Sequence, residues 1–183
     1  LAVLAGLIIM LTRRRHSQML RSKFGPEYDH TVKRVGNSHK AEHVLEEREK
    51  RVSKFSIIPL SESRRTEYVT RWREIQAQFV DDPAGALTRA DVLIAEVMNE
   101  RGYPVTDFNQ RSADLSVDHP EVVQNYRAGR DIAVRHARGE CGTEELRQAM
   151  IHYRALFDDL ANEPAPAATA PKTTPNRKER VRD

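Results

Sequence analysis

A single cysteine, Cys141, stands in 183 residues, so no internal disulfide can form. Nothing here suggests a secreted disulfide scaffold. Aromatic residues make up 6% of the chain and apolar residues 39%, the latter below the ~45–50% usual for globular domains. That composition supports one modest core and argues against a large enzyme with a deep, roofed cleft. The sequence has no Walker-type phosphate loop, no G-x-G-x-x-G, no G-x-S-x-G and no paired C-x-x-C. It also has no alternating run of β-branched residues long enough for a sheet.

Charge is plentiful but unevenly placed. The net charge is +3. Residues 1–60 carry twelve Lys and Arg against six Asp and Glu, a net of +6. Residues 61–161 carry thirteen against eighteen, a net of −5. The last 22 residues return to +2. A nucleic-acid-binding domain normally carries its positive charge on the folded module. Here the expected folded part is acidic, which argues against a nucleic-acid partner.

The chain opens on an apolar run from Leu1 to Leu11, followed at once by Arg13, Arg14 and Arg15. Eleven helical residues span roughly 17 Å, about half of a ~30 Å hydrocarbon core. The run reads as the C-terminal part of a transmembrane helix, residues 1–12, with its start missing. A signal peptide has the reverse order, with positive charge before the apolar run. The arginines are expected at anionic lipid headgroups, with the body in the cytoplasm by the positive-inside rule.

Beyond this, the expected fold class is all-α: a small antiparallel helical bundle preceded by the transmembrane and juxtamembrane helix and by charged linker helices. Residues 13–60 form the basic juxtamembrane and linker part. Within them, Ser38 is a candidate N-cap, and the stretch from His39 to Lys54 is charge-rich with few apolar points. Residues 61–161 form the bundle. Tyr68, Trp72, Ile75 and Phe79 recur at helical spacing. Asp82-Pro83 starts a second helix striped by Leu87, Ala90, Ile94, Val97 and Met98. Asp107 opens a short one. Asp118 or His119 is expected to cap another, with Pro120 at its first position. Leu146, Ala149, Met150, Tyr153, Leu156, Phe157 and Leu160 form the most regular stripe, which predicts that Tyr153 and Phe157 meet Trp72 or its neighbours. Residues 162–183, rich in Pro, Ala and Thr with a basic end, read as a disordered tail.

Chemistry-bearing residues are sparse. His39, Glu42 and His43 spell H-x-x-E-H and share a helix face. In that order two imidazoles would hold zinc and the carboxylate would act as base, the alternative reading being a zinc-dependent hydrolase. The segment is highly charged and has little to bury a site, so a solvated face accounts for the same residues. Asp114, Asp118, His119 and Glu121 gather near one loop, where helix capping is the simpler role. Cys141 lies in a Gly-Glu-Cys-Gly-Thr turn with no histidine beside it in sequence. Tyr103, Phe108 and Tyr126 are less regular than the stripes and are candidates for a partner-facing groove. No cofactor is expected.

The block Lys23-Phe24-Gly25-Pro26-Glu27-Tyr28-Asp29 resembles the juxtamembrane block of an uncharacterised family of bacterial single-pass membrane proteins. The resemblance to that family continues through Phe79-Val80-Asp81-Asp82-Pro83, Arg101-Gly102-Tyr103-Pro104, the run Ala113 to Pro120, and the run Met150 to Phe157. The family block more often begins with Arg than with Lys23. The resemblance implies a membrane anchor in the bacterial inner membrane and a helical body, and carries over no catalytic residue. The expected function is a membrane-anchored helical interaction or scaffold module with a protein partner.

Overall fold

A computed structural model describes residues 2–104 and 106–162, with side chains from Met10 onward. The tail expected at 162–183 lies, beyond residue 162, outside the described residues. Eight helices and no strand occur among the described residues. The all-α expectation holds.

The helices are α1 (Ala2–Phe24), α2 (Pro26–Val35), α3 (Ser38–Val52), α4 (Glu62–Gln78), α5 (Pro83–Glu100), α6 (Phe108–Asp118), α7 (Val123–Ala137) and α8 (Thr143–Asn162). Their starts follow capping chemistry. Asn37, Ser61, Asp82 and Asp107 each accept a backbone N–H of the first turn through the side chain. Pro83 then takes the first helical position of α5, where its missing N–H goes unmissed. Two boundaries differ from expectation. Ser38 is already helical and Asn37 is the cap. Pro120 sits in a turn, and α7 begins at Val123 without a side-chain cap.

The main core lies between α4, α5, α7 and α8. α5 buries seven of its residues, including Leu87, Leu93, Ile94, Val97 and Met98. α8 packs against α4, α5 and α7 and buries the expected stripe from Leu146 to Leu160. Trp72 and Phe157 stack with ring centroids 4.6 Å apart. Tyr153 turns instead toward Tyr126, at 5.8 Å. Phe79 lies just past the end of α4 and is half-buried. α4 and α5 are antiparallel, as Arg64 and Arg71 of α4 pair with Glu100 and Glu96 of α5, and so are α7 and α8, where Asn125 and Gly129 of α7 meet His152 and Ala149 of α8. α5 and α8 run in the same direction, since Leu87 lies near Leu146 while Arg101 donates to the Leu160 carbonyl.

No helix among the described residues is long and apolar enough to cross a membrane. α1 is one continuous helix whose apolar part ends at Leu11, so the span expected at residues 1–12 is unsupported by the helices described. The charge-rich stretch from His39 to Lys54 is helical over most of its length and has one buried face. Leu20 and Phe24 of α1, Tyr28 of α2, and Leu45 and Val52 of α3 close with Val117 of α6 into a second buried cluster. The arm formed by α1, α2 and α3 is therefore part of the folded body.

Candidate functional site

The most built polar site is the joint where this arm meets the body. Gly25, at φ 46°, lets the chain break between α1 and α2. Pro26 then starts α2, and Glu27 falls in the first turn, where the helix dipole favours an anion. Glu27 is fully buried. Arg48 of α3 donates to Glu27 Oε1 at 2.6 Å, and Gln124 of α7 to Oε2 at 3.0 Å. Arg127 of α7 grips both oxygens, at 3.0 Å to Oε1 and more closely to Oε2. Arg48 also donates to Ser116 of α6 at 3.0 Å. One carboxylate thus ties α2, α3 and α7 together, with α6 reached through Arg48.

Burial pushes the Glu27 carboxyl up, but the hydrogen bonds and charges of Arg127 and Arg48 outweigh it, and the pKa falls below its ordinary value. Arg48 is lowered by its own burial, with Glu27 opposing. Alongside, Arg51 donates to Asp114 Oδ1 through Nε at 2.8 Å and Nη2 at 2.5 Å, and Gln110 donates to the same oxygen at 2.9 Å. Both oxygens of Glu27 already have donors. The arrangement suits a latch between helices.

The H-x-x-E-H residues lie on a cleft of about 560 Å³ between α1 and α3 that His16 and Arg13 also line. His39 and His43 are exposed. Glu42 accepts the Tyr28 hydroxyl at 2.7 Å. Burial raises its pKa, yet hydrogen bonds from Ser17 and Tyr28 bring it below the ordinary value. His16 Nε2 lies 2.5 Å from Glu46. Among the described residues no three His, Cys, Asp or Glu side chains come together as a metal set. Glu42 is engaged by a tyrosine instead of being presented to a water.

The aromatic candidates do not line an open groove. Tyr103 and Tyr126 are buried, donating to Asp118 at 2.9 Å and to Asp91 at 3.0 Å. Phe108 is half-buried against the Tyr126 ring, centroids 4.8 Å apart. The loop acids separate into different roles. Asp114 faces Arg51, Asp118 faces Tyr103, and His119 Nδ1 sits 2.5 Å from Asp159. The Cys141 thiol points at the Ile132 carbonyl at 3.5 Å, while His136 Nδ1 donates to the Cys141 carbonyl at 3.0 Å and leaves the sulfur alone. Glu27, Arg48 and Arg127 were not legible as a set, being 21 to 100 positions apart. Glu27 did stand in a Gly-Pro-Glu helix start, which marks a first-turn acid and no more.

Compared with known proteins, the chain matches no family model, no curated protein and no solved structure. The juxtamembrane resemblance therefore rests on those residues alone.

Proposed function

We propose that the chain is a membrane-tethered helical interaction module, whose N-terminal arm fixes the acidic body at a lipid surface for docking of a protein partner. The observation carrying this reading is the continuity of α1. The helix that begins in the apolar run ends with Leu20 and Phe24 buried in the body, so the tether and the body move as one piece.

The charge split supports the same reading. A stretch of +6 over residues 1–60 is attracted to anionic headgroups, and a body of −5 over residues 61–161 is repelled from them. Each Lys or Arg near such a surface contributes about 1 kcal/mol within a Debye length. The arm then lies toward the lipid and the bundle away from it. Exposed apolar side chains on the body, Val92 and Ile151 among them, are candidate points of partner contact.

The test uses the natural gene product in its own cells. After alkaline carbonate washing the protein should stay with the membrane. A photo-crosslinking residue at Ile151 or Val92 should trap a discrete partner. Release by carbonate sinks the tether, and crosslinks confined to lipid or absent altogether sink the interaction role. A cysteine at exposed Gln78 in a Cys141→Ser background reports the side. Its labelling by an impermeant reagent on intact cells would put the body outside.

A further inference from the structure

We propose that the cleft between α5, α7 and α8 binds a small zwitterion of the free α-amino-acid class, with Asp91 taking the ammonium and Arg130 the carboxylate. The cleft has a volume of about 280 Å³. At ~30 Å³ per water in the liquid, that is room for about nine waters, which suits a single amino acid.

The polar residues make a matched but unclosed pair. Asp91 of α5 uses Oδ1 to accept the Tyr126 hydroxyl at 3.0 Å. Its Oδ2 stands 4.0 Å from Arg130 Nη1, at the limit of an ion pair and too long for a hydrogen bond. The guanidinium is half-exposed and lies 5.6 Å from the centre of the Phe108 ring. Together the two charges cancel, so the complementary guest is neutral overall with a cation and an anion side by side. A lone cation would meet Arg130, and a lone anion would meet Asp91. The rest of the wall is mostly apolar, from Leu87, Ala133 and Leu146, with Thr88 and His136 also lining it; the Thr88 hydroxyl is turned to the Ala84 carbonyl and His136 Nδ1 to the Cys141 carbonyl.

Tyr153 supplies an independent observation. It lines the same cleft, it is fully buried, and its hydroxyl has no hydrogen-bond partner. A buried hydroxyl without a partner is costly in a finished fold. Burial first, and then the Asp91 charge, push its phenol above the ordinary value, so it stays a neutral donor. A carboxylate held by Arg130 gives that donor an acceptor. The residues come from three helices joined by the main core, so Asp91 and Arg130 are placed before any guest arrives, and the shielded Tyr153 hydroxyl is reached by a small shift of its ring as the guest enters.

The test titrates the full chain in detergent micelles with L-leucine, and with its two halves, isopentylamine and 4-methylpentanoate. L-Leucine should bind saturably, and each half at least tenfold more weakly. Asp91→Asn and Arg130→Gln should each weaken leucine binding at least tenfold. Tyr153→Phe should weaken it too, yet raise the melting temperature of the ligand-free protein, because the deleted hydroxyl had no partner. Absence of saturable leucine binding overturns the proposal. So does binding of either half as tightly as leucine, or a lower ligand-free melting temperature for Tyr153→Phe, which would mean that a resident water already satisfies the hydroxyl.

Discussion

Replacing Glu27 with Gln should detach the arm from the body. The carboxylate is fully buried and receives Arg48, Arg127, Gln124 and Thr31. The amide is nearly the same size but neutral, and its nitrogen cannot accept from either guanidinium group. Two guanidinium groups then lack their counter-charge, one of them 4% exposed and the other 20%. Breaking a buried pair by removing one partner costs about 3–5 kcal/mol, a large part of the ~5–15 kcal/mol a domain holds. At about 2–4 °C per kcal/mol for this size of chain, the melting temperature should drop by about 6–20 °C. Hydrogen exchange should localise the loss, with the amides of α2 and α3 exposed before those of α5 and α8. Removing all the charges together, as Glu27→Leu, Arg48→Met and Arg127→Leu, should recover most of the drop, since well-packed apolar groups replace buried ion pairs at little cost. Acid behaviour gives a second reading. The Glu27 pKa is lower folded than its ordinary 4.5, so its contribution is complete above pH 4.5 and is lost as the pH falls through the folded value. His30, whose Nδ1 lies 3.6 Å from Glu27, also has a lowered pKa, through burial and then Arg127. Its contribution is complete above 6.5 and fades on acidification, so a His30→Gln background separates the two. In that background the parent should lose stability below pH 4.5 more steeply than Glu27→Gln. The other lowered carboxylates, such as Glu42, are present in both proteins and cancel. A melting temperature within about 2 °C of the parent, or a triple variant no better than the single one, refutes the latch.

Two further outcomes concern the main core. Phe157→Ala removes a 1%-exposed ring stacked on Trp72 and should cost about 3–5 kcal/mol, read by urea unfolding of the full chain in micelles. Gly129→Ala places a Cβ 2.4 Å from the Tyr153 ring, which Tyr126 backs at 5.8 Å. Overpacking of about 1–3 kcal/mol should outweigh the ~1 kcal/mol gained in helix propensity, so this variant should melt below the parent.

The body was readable where one apolar residue per turn carries the fold. The α8 stripe recurs every three or four residues, and burial follows it from Leu146 to Leu160. Its docking on α4 followed from two large rings, Trp72 and Phe157, each needing a flat partner. Capping chemistry at Asp82-Pro83 and Asp107 is local, so those helix starts were visible too. The start of α7 was not. His119 bonds sideways to Asp159 of α8, forty residues on, and a proline three residues early could not reveal that. The Asp91–Arg130 pairing is likewise a product of how the assembled helices bring α5 and α7 together.

The arm was misread for a more general reason. Periodicity counts a residue as buried when it is apolar, and α3 offers few such residues. Yet its buried positions are Ala41, Leu45, Arg48 and Val52, spaced by four, three and four. That is a regular core-facing stripe with one charged member. Read as a charge, Arg48 breaks the stripe and turns the helix into a solvated linker. Read as the partner of Glu27, it completes the stripe, and the arm becomes part of the fold. The missing information was the partner, Glu27, 21 positions upstream on another helix, with Arg127 a hundred positions from it. An apolar side chain needs only an apolar neighbour, and many serve. A buried arginine needs a particular carboxylate at a particular place. Pairing of that kind depends on the assembled helices, which is why the second core stayed hidden in a sequence that displayed the first.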